Sequence, residues 1–333
     1  MGLQINDQSY AGTFASQYWT PAFYGMDTLQ KGVVNVIDNI RKRANIGNID
    51  FSGGLQPRQA VPTSPLGTWT VDKRYLEPKD AMLYTEFNPR DLETHWESEN
   101  LSNLLLERKL PPTFESYVIY TAISRTFEKM ETAWWMSSTN YSVITDTTDP
   151  RYYMQFFNGF LYQLVNDSSV LSYGSPATIT NSNIGTFLDG LIELVTTNKR
   201  ALIVRPTKYQ RMKFLCSPKT ELLYNEYLTT GTTYKGIDYM EKGTKPWKGY
   251  EVVSLAGFPD DTIIFCEAIP QFDGAFHIGL NSKDDENTLQ LARTLPANET
   301  YFLKALMKMD VNYKYGNEIA IMTTLTANSF IVS

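Results

Sequence analysis

The sequence is poor in the residues that build disulfide and metal sites. It contains two cysteines, Cys216 and Cys266, and two histidines, His95 and His277, among 333 residues. Two cysteines outside a CxxC spacing cannot form a disulfide framework for a chain of this length, so we expect two buried thiols in a reducing compartment. No HxxxH, HExxH or cysteine–histidine cluster occurs, and each histidine lies beside an aromatic residue. This favours packed, structural histidines and predicts no metal site.

The motifs of phosphate binding and nucleophilic catalysis are also absent. Neither GxxxxGK[ST] nor GxGxxG nor GxSxG occurs in the sequence. The acidic strings Asp260-Asp261 and Asp284-Asp285-Glu286 stand in turn-like stretches, which favours solvated loop charges over a carboxylate dyad. The sequence therefore predicts no catalytic residue, no cofactor and a protein that is not an enzyme.

An excess of positive charge and long apolar runs are lacking too. The chain has 30 Lys and Arg against 36 Asp and Glu, a net charge of −6. This disfavours a dedicated nucleic-acid-binding protein, a class that steep, salt-dependent DNA affinity would revive. The longest aliphatic run, residues 201–204, is far too short to span a membrane. The first residues lack the basic start and apolar core of a signal peptide, so we expect no membrane or secretory role.

Aromatic residues are abundant, at 13% of the chain, with 21 tyrosines. Several stand near the N-terminus, where they need a surface to cover them: Phe14, Tyr18, Trp19, Phe23 and Tyr24. After them, apolar residues recur at helical spacing and predict an amphipathic helix: Leu29, Val33, Val36, Ile37 and Ile40.

Residues 46–88 are rich in proline and glycine, which excludes helix there. Thr68 to Leu76 alternates as a strand does, Pro78 makes a turn, and Ala81 to Phe87 can run back beside it. A two-stranded ribbon has no core of its own and is marginal in water. We expect it to lie on its own body or on a neighbouring molecule.

A very long helix and a very long strand follow. Asn88-Pro89 predicts the start of a helix that runs through Trp96. From Phe114 to Met136 there is no glycine or proline, and apolar residues recur every three or four positions, which predicts a helix of about 23 residues. Apolar residues at every odd position from Tyr301 to Tyr315 predict one long strand, resumed at 319–322.

The segment between these two elements reads as mixed α/β. The apolar residues from Ile184 to Val195 follow the helical template closely. We predict a strand at 201–204 and a helix opened by Pro206 that includes Met212 and Phe214. Two further strands are expected, at 250–255 and 262–268.

This order of elements resembles the major capsid proteins of tailed bacteriophages, the Hong Kong 97-like shell fold. Lys248 to Val253 followed by Phe258 to Phe265 looks like the axial-domain hairpin of that family. Val311 to Ile319 is similar to its return strand, and Arg74 to Trp96 looks like its loop-to-helix passage. The resemblance covers nearly the whole chain in order.

The resemblance implies an α+β fold with six regions. They are an N-terminal arm (1–45), an extended loop (46–88), a peripheral domain (89–165, with its spine helix at about 113–137), an axial domain (166–274), a return to the peripheral domain (275–316, with the long strand 301–315) and a C-terminal strand (317–333).

The same resemblance implies a structural subunit that assembles with itself into pentamers and hexamers of an icosahedral head. That head encloses double-stranded DNA through weak, non-specific contacts. Implied partners are a portal, a separate scaffold protein, and decoration or minor capsid proteins. We expect location in the virion after assembly in the host cytoplasm. The short stretch before the spine helix leads us to expect no maturation cleavage.

The residues expected at subunit contacts lie in the arm, in the ribbon and in the loop after Gly231. The named candidates are Phe14, Tyr18, Trp19, Phe23, Tyr24, Trp69 and Tyr75. Two alternatives stay open. An encapsulin-like compartment would keep the fold and add a cargo groove, and a carbohydrate-active or carbohydrate-binding protein would need a secretion signal and clustered Trp and acidic residues.

Overall fold

The fold is described from a computed structural model, which covers residues 8–10, 22–47, 49–58, 67–88, 114–197, 211–230, 246–281, 289–294 and 300–332. Within these ranges, none of the helices combines the length and the hydropathy that crossing a lipid bilayer requires. The helix expected from Asn88-Pro89, the strand at 201–204 and His95 lie outside the described residues.

The first part of the chain consists of short elements. They are β1 (Gln8–Tyr10), α1 (Asp27–Gln30), β2 (Asn35–Ile37), β3 (Ala44–Asn45), β4 (Ile49–Gly53), β5 (Gly67–Val71), β6 (Tyr75–Leu76) and β7 (Lys79–Phe87). The amphipathic helix predicted over 29–40 was wrong. The helix ends at Gln30, Gly32 takes a positive φ of 60°, and Val36 lies in a strand. Such a φ suits glycine and stops a helix.

The second part contains the long elements. They are α2 (Phe114–Met136), α3 (Phe160–Asn166), β8 (Leu171–Ser172), α4 (Ile184–Thr197), β9 (Lys213–Cys216), α5 (Pro218–Thr230), β10 (Glu251–Ser254), β11 (Thr262–Cys266), β12 (Phe276–Leu280), β13 (Leu289–Arg293), β14 (Tyr301–Tyr313) and β15 (Ala320–Thr323). The long helix and the long strand are both confirmed. The predicted apolar stripe of α2 is buried from Ile119 to Trp134.

β14 organises the first sheet, whose order is β1-β13-β14-β12-β2. β13 and β12 share one edge of β14, and β7 pairs antiparallel along the other edge from Tyr301–Phe87 to Met309–Lys79. The odd residues of β14 are buried and the even ones are half-buried. The sequence therefore gave the two faces of this strand correctly.

The ribbon is built from a different pair of strands than expected. β5 pairs antiparallel with β4, so Trp69 faces Phe51, and β6 pairs with β3 at the base. Ala81 to Phe87, expected to run back along the ribbon, belongs to β7 and the first sheet. Alternation along a strand identifies its faces but not its partner, which is why the predicted hairpin was wrong.

The second sheet has the order β10-β9-β11-β15-β8. Phe214 lies in β9, so the helix predicted to run through it was wrong. β10 and β11 both pair with β9, one parallel and one antiparallel, and therefore do not form the expected hairpin. Sequence reasoning missed α5, whose polar face obscures its period.

Two cores support these sheets. The larger one lies between α2, α3 and the first sheet, around Trp134, Trp135, Phe160 and Phe276. The other lies between α4, α5 and the second sheet. His277, Cys216 and Cys266 are all buried, as expected.

Candidate subunit-contact surfaces

The aromatic residues of the arm fall into two groups. Phe14, Tyr18 and Trp19 lie outside the described residues, as does the loop after Gly231. Phe23 is buried in its own chain, with edge contacts to Phe127 and Trp134 at ring-centroid distances of 5.9 and 5.7 Å. The expectation that Phe23 contacts another subunit is therefore corrected, because the side chain fills the chain's own core.

Two other candidates differ in their surroundings. Tyr24 follows Phe23 on the outer side and is 58% exposed. Tyr75 is half-buried at the base of the ribbon, where the guanidinium of Arg43 stacks 3.5 Å from its ring centroid. Arg43 also pairs with Glu77 at 2.8 Å. The Tyr75 ring is thus occupied by a contact within its own chain, whereas the exposed Tyr24 ring could contact another molecule.

The ribbon of β4 and β5 has one apolar face, made by two cross-strand pairs. Ile49 faces Val71 and Phe51 faces Trp69, with the two rings 4.7 Å apart. The exposed fractions are 66% for Ile49, 46% for Phe51, 68% for Trp69 and 53% for Val71. Four large apolar side chains together on one small strand pair form a patch, which is unlike the scattered exposure normal for a surface. We call these four residues the ribbon face.

Only Trp69 of the ribbon face was named from the sequence. Ile49 and Phe51 alternate with polar residues, which is the signal of a strand with one apolar side, but the short run between glycines concealed it. Thr68, next to Trp69, is exposed on the opposite face and pairs with Ser52. One side of the ribbon is therefore polar and the other side is suited to burial against another molecule.

The base of the ribbon is held by a cluster around Asp167. This carboxylate accepts hydrogen bonds from Arg74, Tyr313 and the Ser169 amide, the last at 2.8 Å. Burial alone would raise the pKa of Asp167, but these donors outweigh it and lower the pKa to about 2. The guanidinium of Arg74 also lies 4.2 Å from the Tyr313 ring centroid. These charge-assisted bonds hold Arg74, which links β5 to β6 at the base of the ribbon, against Asp167 in the main part of the fold.

Asp310 of β14 forms a second anchor. Its Oδ2 accepts from the Glu77 amide at 2.7 Å and its Oδ1 from the Val311 amide at 2.9 Å. Burial raises the pKa of Asp310 to about 6, although these two amides act in the opposite direction. The turn between β6 and β7 is thereby tied to the first sheet.

A third tie joins α1 to the long helix α2 and to the loop after β10. The Glu131 carboxylate of α2 accepts from the Thr28 amide at 3.1 Å and from its hydroxyl, and Asp27 accepts from the Ala256 amide at 2.9 Å. Gly257 lies so close to α2 that an added Cβ would be 2.5 Å from the Glu131 carbonyl carbon. The loop after β10 therefore packs directly on the long helix.

The part of the chain that the structure covers contains no cluster suited to a metal ion. Within it, no group of three or more His, Cys, Asp or Glu side chains is placed to hold a metal ion. The His277 ring lies 3.1 Å from the Asn35 amide nitrogen, and burial lowers the pKa of His277 to about 4. It is a neutral, packed histidine at neutral pH.

Comparison with solved structures gives several likenesses over nearly the whole chain. The procapsid of satellite phage P4 matches with a TM-score of 0.57 and 11% identity, covering 92% of this chain and 98% of that one. The capsid of Myoviridae phage XM1 matches at 0.55 and 10%, covering 97% and 95%. The capsid of cyanophage A-1(L) matches at 0.53 and 13%, covering 90% and 93%. No protein-family model and no curated protein sequence matches this chain.

Proposed function

We propose that this chain, which has the fold of tailed-phage capsid proteins, is a major capsid protein that assembles with copies of itself into a closed shell. The observation that carries the proposal is the likeness to phage capsid structures along nine-tenths or more of both chains.

The ribbon face supplies an independent physical argument. Leaving Ile49, Phe51, Trp69 and Val71 in water has a cost that burial against a second copy would remove. Each such contact is modest, but a shell repeats it in every subunit, so that many weak contacts combine. Tyr24 adds a further exposed aromatic residue beside the long helix.

The finer parts of the proposal follow from the capsid assignment. The shell is built from pentamers and hexamers, encloses double-stranded DNA by weak contacts and forms the head of a virion assembled in the host cytoplasm. The chain is a structural protein and not an enzyme. Portal, scaffold and decoration proteins are its expected partners. The chain is divided into the six regions given above, from the N-terminal arm to the C-terminal strand.

The test is the size of the purified chain, measured by light scattering with negative-stain microscopy of any large fraction, alone and with scaffold protein from the same source. We expect shells, tubes or sixfold rings. A chain that stays monomeric in both conditions, with its ribbon protected from protease, would contradict the proposal. Shells that enclose a cellular protein in place of DNA would favour the compartment alternative.

The role of the ribbon face is tested by Trp69→Ser, with Thr68→Ser on the polar face as the matched control. Because Trp69 is exposed in the single chain, we expect its replacement to leave the Tm of the unassembled protein nearly unchanged. The fraction of protein found in shells should fall for Trp69→Ser and not for Thr68→Ser. Equal assembly of both variants would remove the ribbon face from the subunit contacts.

A further inference from the structure

A cavity of about 400 Å³ lies where α1, α2 and the loop after β10 meet. It is open to solvent and shares no residue with the ribbon face. Apolar side chains form part of its wall, among them the half-exposed ring of Tyr120 and the buried ring of Phe127. Its size is within the range of sites that hold a small group.

Three side chains with a formal charge line this cavity, and all three are acids: Asp27, Glu128 and Glu131. Asp27 is neutralised by Lys31, whose Nζ lies 2.9 Å from Asp27 Oδ2 and 2.6 Å from the Ser254 carbonyl oxygen. Glu128 pairs with the exposed Arg125 at 2.8 Å. Unlike these two acids, Glu131 forms no ion pair with any Lys or Arg in the described part of the chain.

Glu131 is the unusual group. Its side chain is 5% exposed, and Oε1 accepts both bonds from Thr28, whereas Oε2 is buried without a hydrogen-bond partner. A buried carboxyl oxygen left unpaired is costly and calls for a specific explanation. Glu131 is one of the residues that line the cavity, so a cationic group that enters it would meet this carboxyl group.

We propose that this cavity receives a lysine or arginine side chain from a second copy of the chain. The cation meets the free oxygen of Glu131 and the face of Tyr120, a combination of carboxylate and aromatic ring that selects ammonium and guanidinium groups. This inference rests on the proposed assembly, because the cation comes from a neighbouring subunit.

The chain carries cations that suit this role. Lys42, Arg58 and Lys73 are exposed and make no ion pair with any described residue. Arg58 follows β4 on the side away from the base, and Lys73 follows β5 near the base, so the two cations lie toward opposite ends of a ribbon whose apolar face has no partner among the described residues. A subunit that buries the ribbon face on a neighbour would therefore bring at least two unpaired cations to that neighbour's surface.

Proton release gives a second, independent signature. Burial raises the pKa of Glu131, with hydrogen bonds from Thr28 opposing this, Asp27 raising it slightly and Lys31 lowering it. A cation in the cavity favours the ionised carboxylate and so lowers the pKa of Glu131; binding should strengthen as the pH rises, and any proton that Glu131 carries should be released. Asp27 and Glu128 are the other acids that line the cavity, and they pair with Lys31 and Arg125.

The direct test uses the unassembled chain and two small probes, n-butylammonium and ethylguanidinium chloride, with ethylurea as the neutral control. Titration calorimetry in two buffers of different ionisation enthalpy measures the affinity and the proton release. We expect saturable binding of both cations and none of ethylurea. Glu131→Gln should weaken binding by about tenfold or more, as expected for the loss of a charge-assisted hydrogen bond.

The matched control is Glu193→Gln, which changes an exposed glutamate of α4 outside the cavity and should bind as the parent does. Because Glu131→Gln could disturb folding, Tyr120→Leu serves as a second variant that removes only the half-exposed ring. It should weaken binding of the cations while leaving the Tm nearly unchanged. Equal affinity in the parent, Glu131→Gln and Tyr120→Leu would overturn the inference.

Assembly assays separate this inference from the proposed function. The expected result is a lower shell yield for Glu131→Gln and for one of the three variants Lys42→Gln, Arg58→Gln or Lys73→Gln, with no further loss when the two are combined. Shells that form normally from all of these variants would overturn the inference and leave the capsid function intact. A chain that binds the probes but never assembles would contradict the second copy as the source of the cation.

Discussion

At the scale of single residues, burial decides the chemistry of the two cysteines. Burial raises the pKa of the Cys216 thiol to about 12, and Cys266 is buried as well. Since the thiolate is the reactive form, we expect neither residue of the native chain to react with a thiol reagent at pH 8, and both to react in denaturant. Ser142→Cys, at an exposed position, supplies the positive control. Native cysteines that react as fast as this control would contradict the buried placement.

Asp310 makes the stability of the chain depend on pH in an unusual direction. Its pKa is raised from 3.8 to about 6. Between about pH 4 and pH 6 the folded chain therefore keeps a proton that the unfolded chain has released, and Asp310 contributes less stability as the pH rises.

The measurement is the free energy of unfolding across this window for the parent and for Asp310→Asn. The free energy of unfolding of the parent, minus that of Asp310→Asn, should fall by on the order of 2 kcal/mol as the pH rises from about 4 to about 6. Above about pH 6 this difference should become constant. A difference that does not change with pH would show that the carboxyl keeps its ordinary pKa.

At the scale of elements, β14 separates a buried face from a half-buried one, and the two faces should respond differently to truncation. Leu303 is fully buried, whereas its near neighbour Leu306 is on the other face of the strand. Leu303→Ala should lower the free energy of unfolding by about 2–5 kcal/mol through lost burial and a cavity. Leu306→Ala, the matched control, should cost about 1 kcal/mol or less. Similar losses would mean that the strand is not oriented as described.

The elements that could be predicted from the sequence are those with long periodic patterns. α2 extends over 23 residues and β14 over 13, so one misplaced residue cannot change their period. Short apolar runs are ambiguous, because Val33, Val36 and Ile37 have helical spacing whereas their β-branched side chains favour a strand. The pairing of β2 with β12 places Val36 and Ile37 in a strand, which suits their β-branched side chains.

Strand partners could not be read from the sequence for a physical reason. The partner of β5 is set by contacts with residues elsewhere in the chain. The alternation within 67–76 shows which side chains share a face, but it does not show which strand pairs with β5. The same holds for the candidate contact residues. Trp69 and Tyr24 were identified as aromatic residues without local cover, whereas Phe23 shares that composition but lies in a core that only the folded chain reveals.

At the scale of the whole molecule, the proposed assembly predicts that the free chain and the shell differ in their sensitivity to protease. Arg58 and Lys73 are exposed on either side of the ribbon. We expect limited trypsin digestion of the unassembled chain to cut first at these positions, as identified by mass spectrometry of the fragments. In assembled shells the same cuts should be much slower, because the ribbon is covered by a neighbour. Equal rates in both states would mean that assembly leaves the ribbon bare.

The pairing of β7 with β14 determines how the chain would carry a pull on its ribbon from a neighbour in the proposed shell. A pull on the ribbon along the direction of β7 loads the nine paired positions from Lys79 to Phe87 in shear. The ladder hydrogen bonds lie across such a load and share it at once, whereas a peeling force would break them one after another. Through its pairing with β7, β14 would pass such a force from the ribbon into the first sheet, with all nine pairs resisting it together.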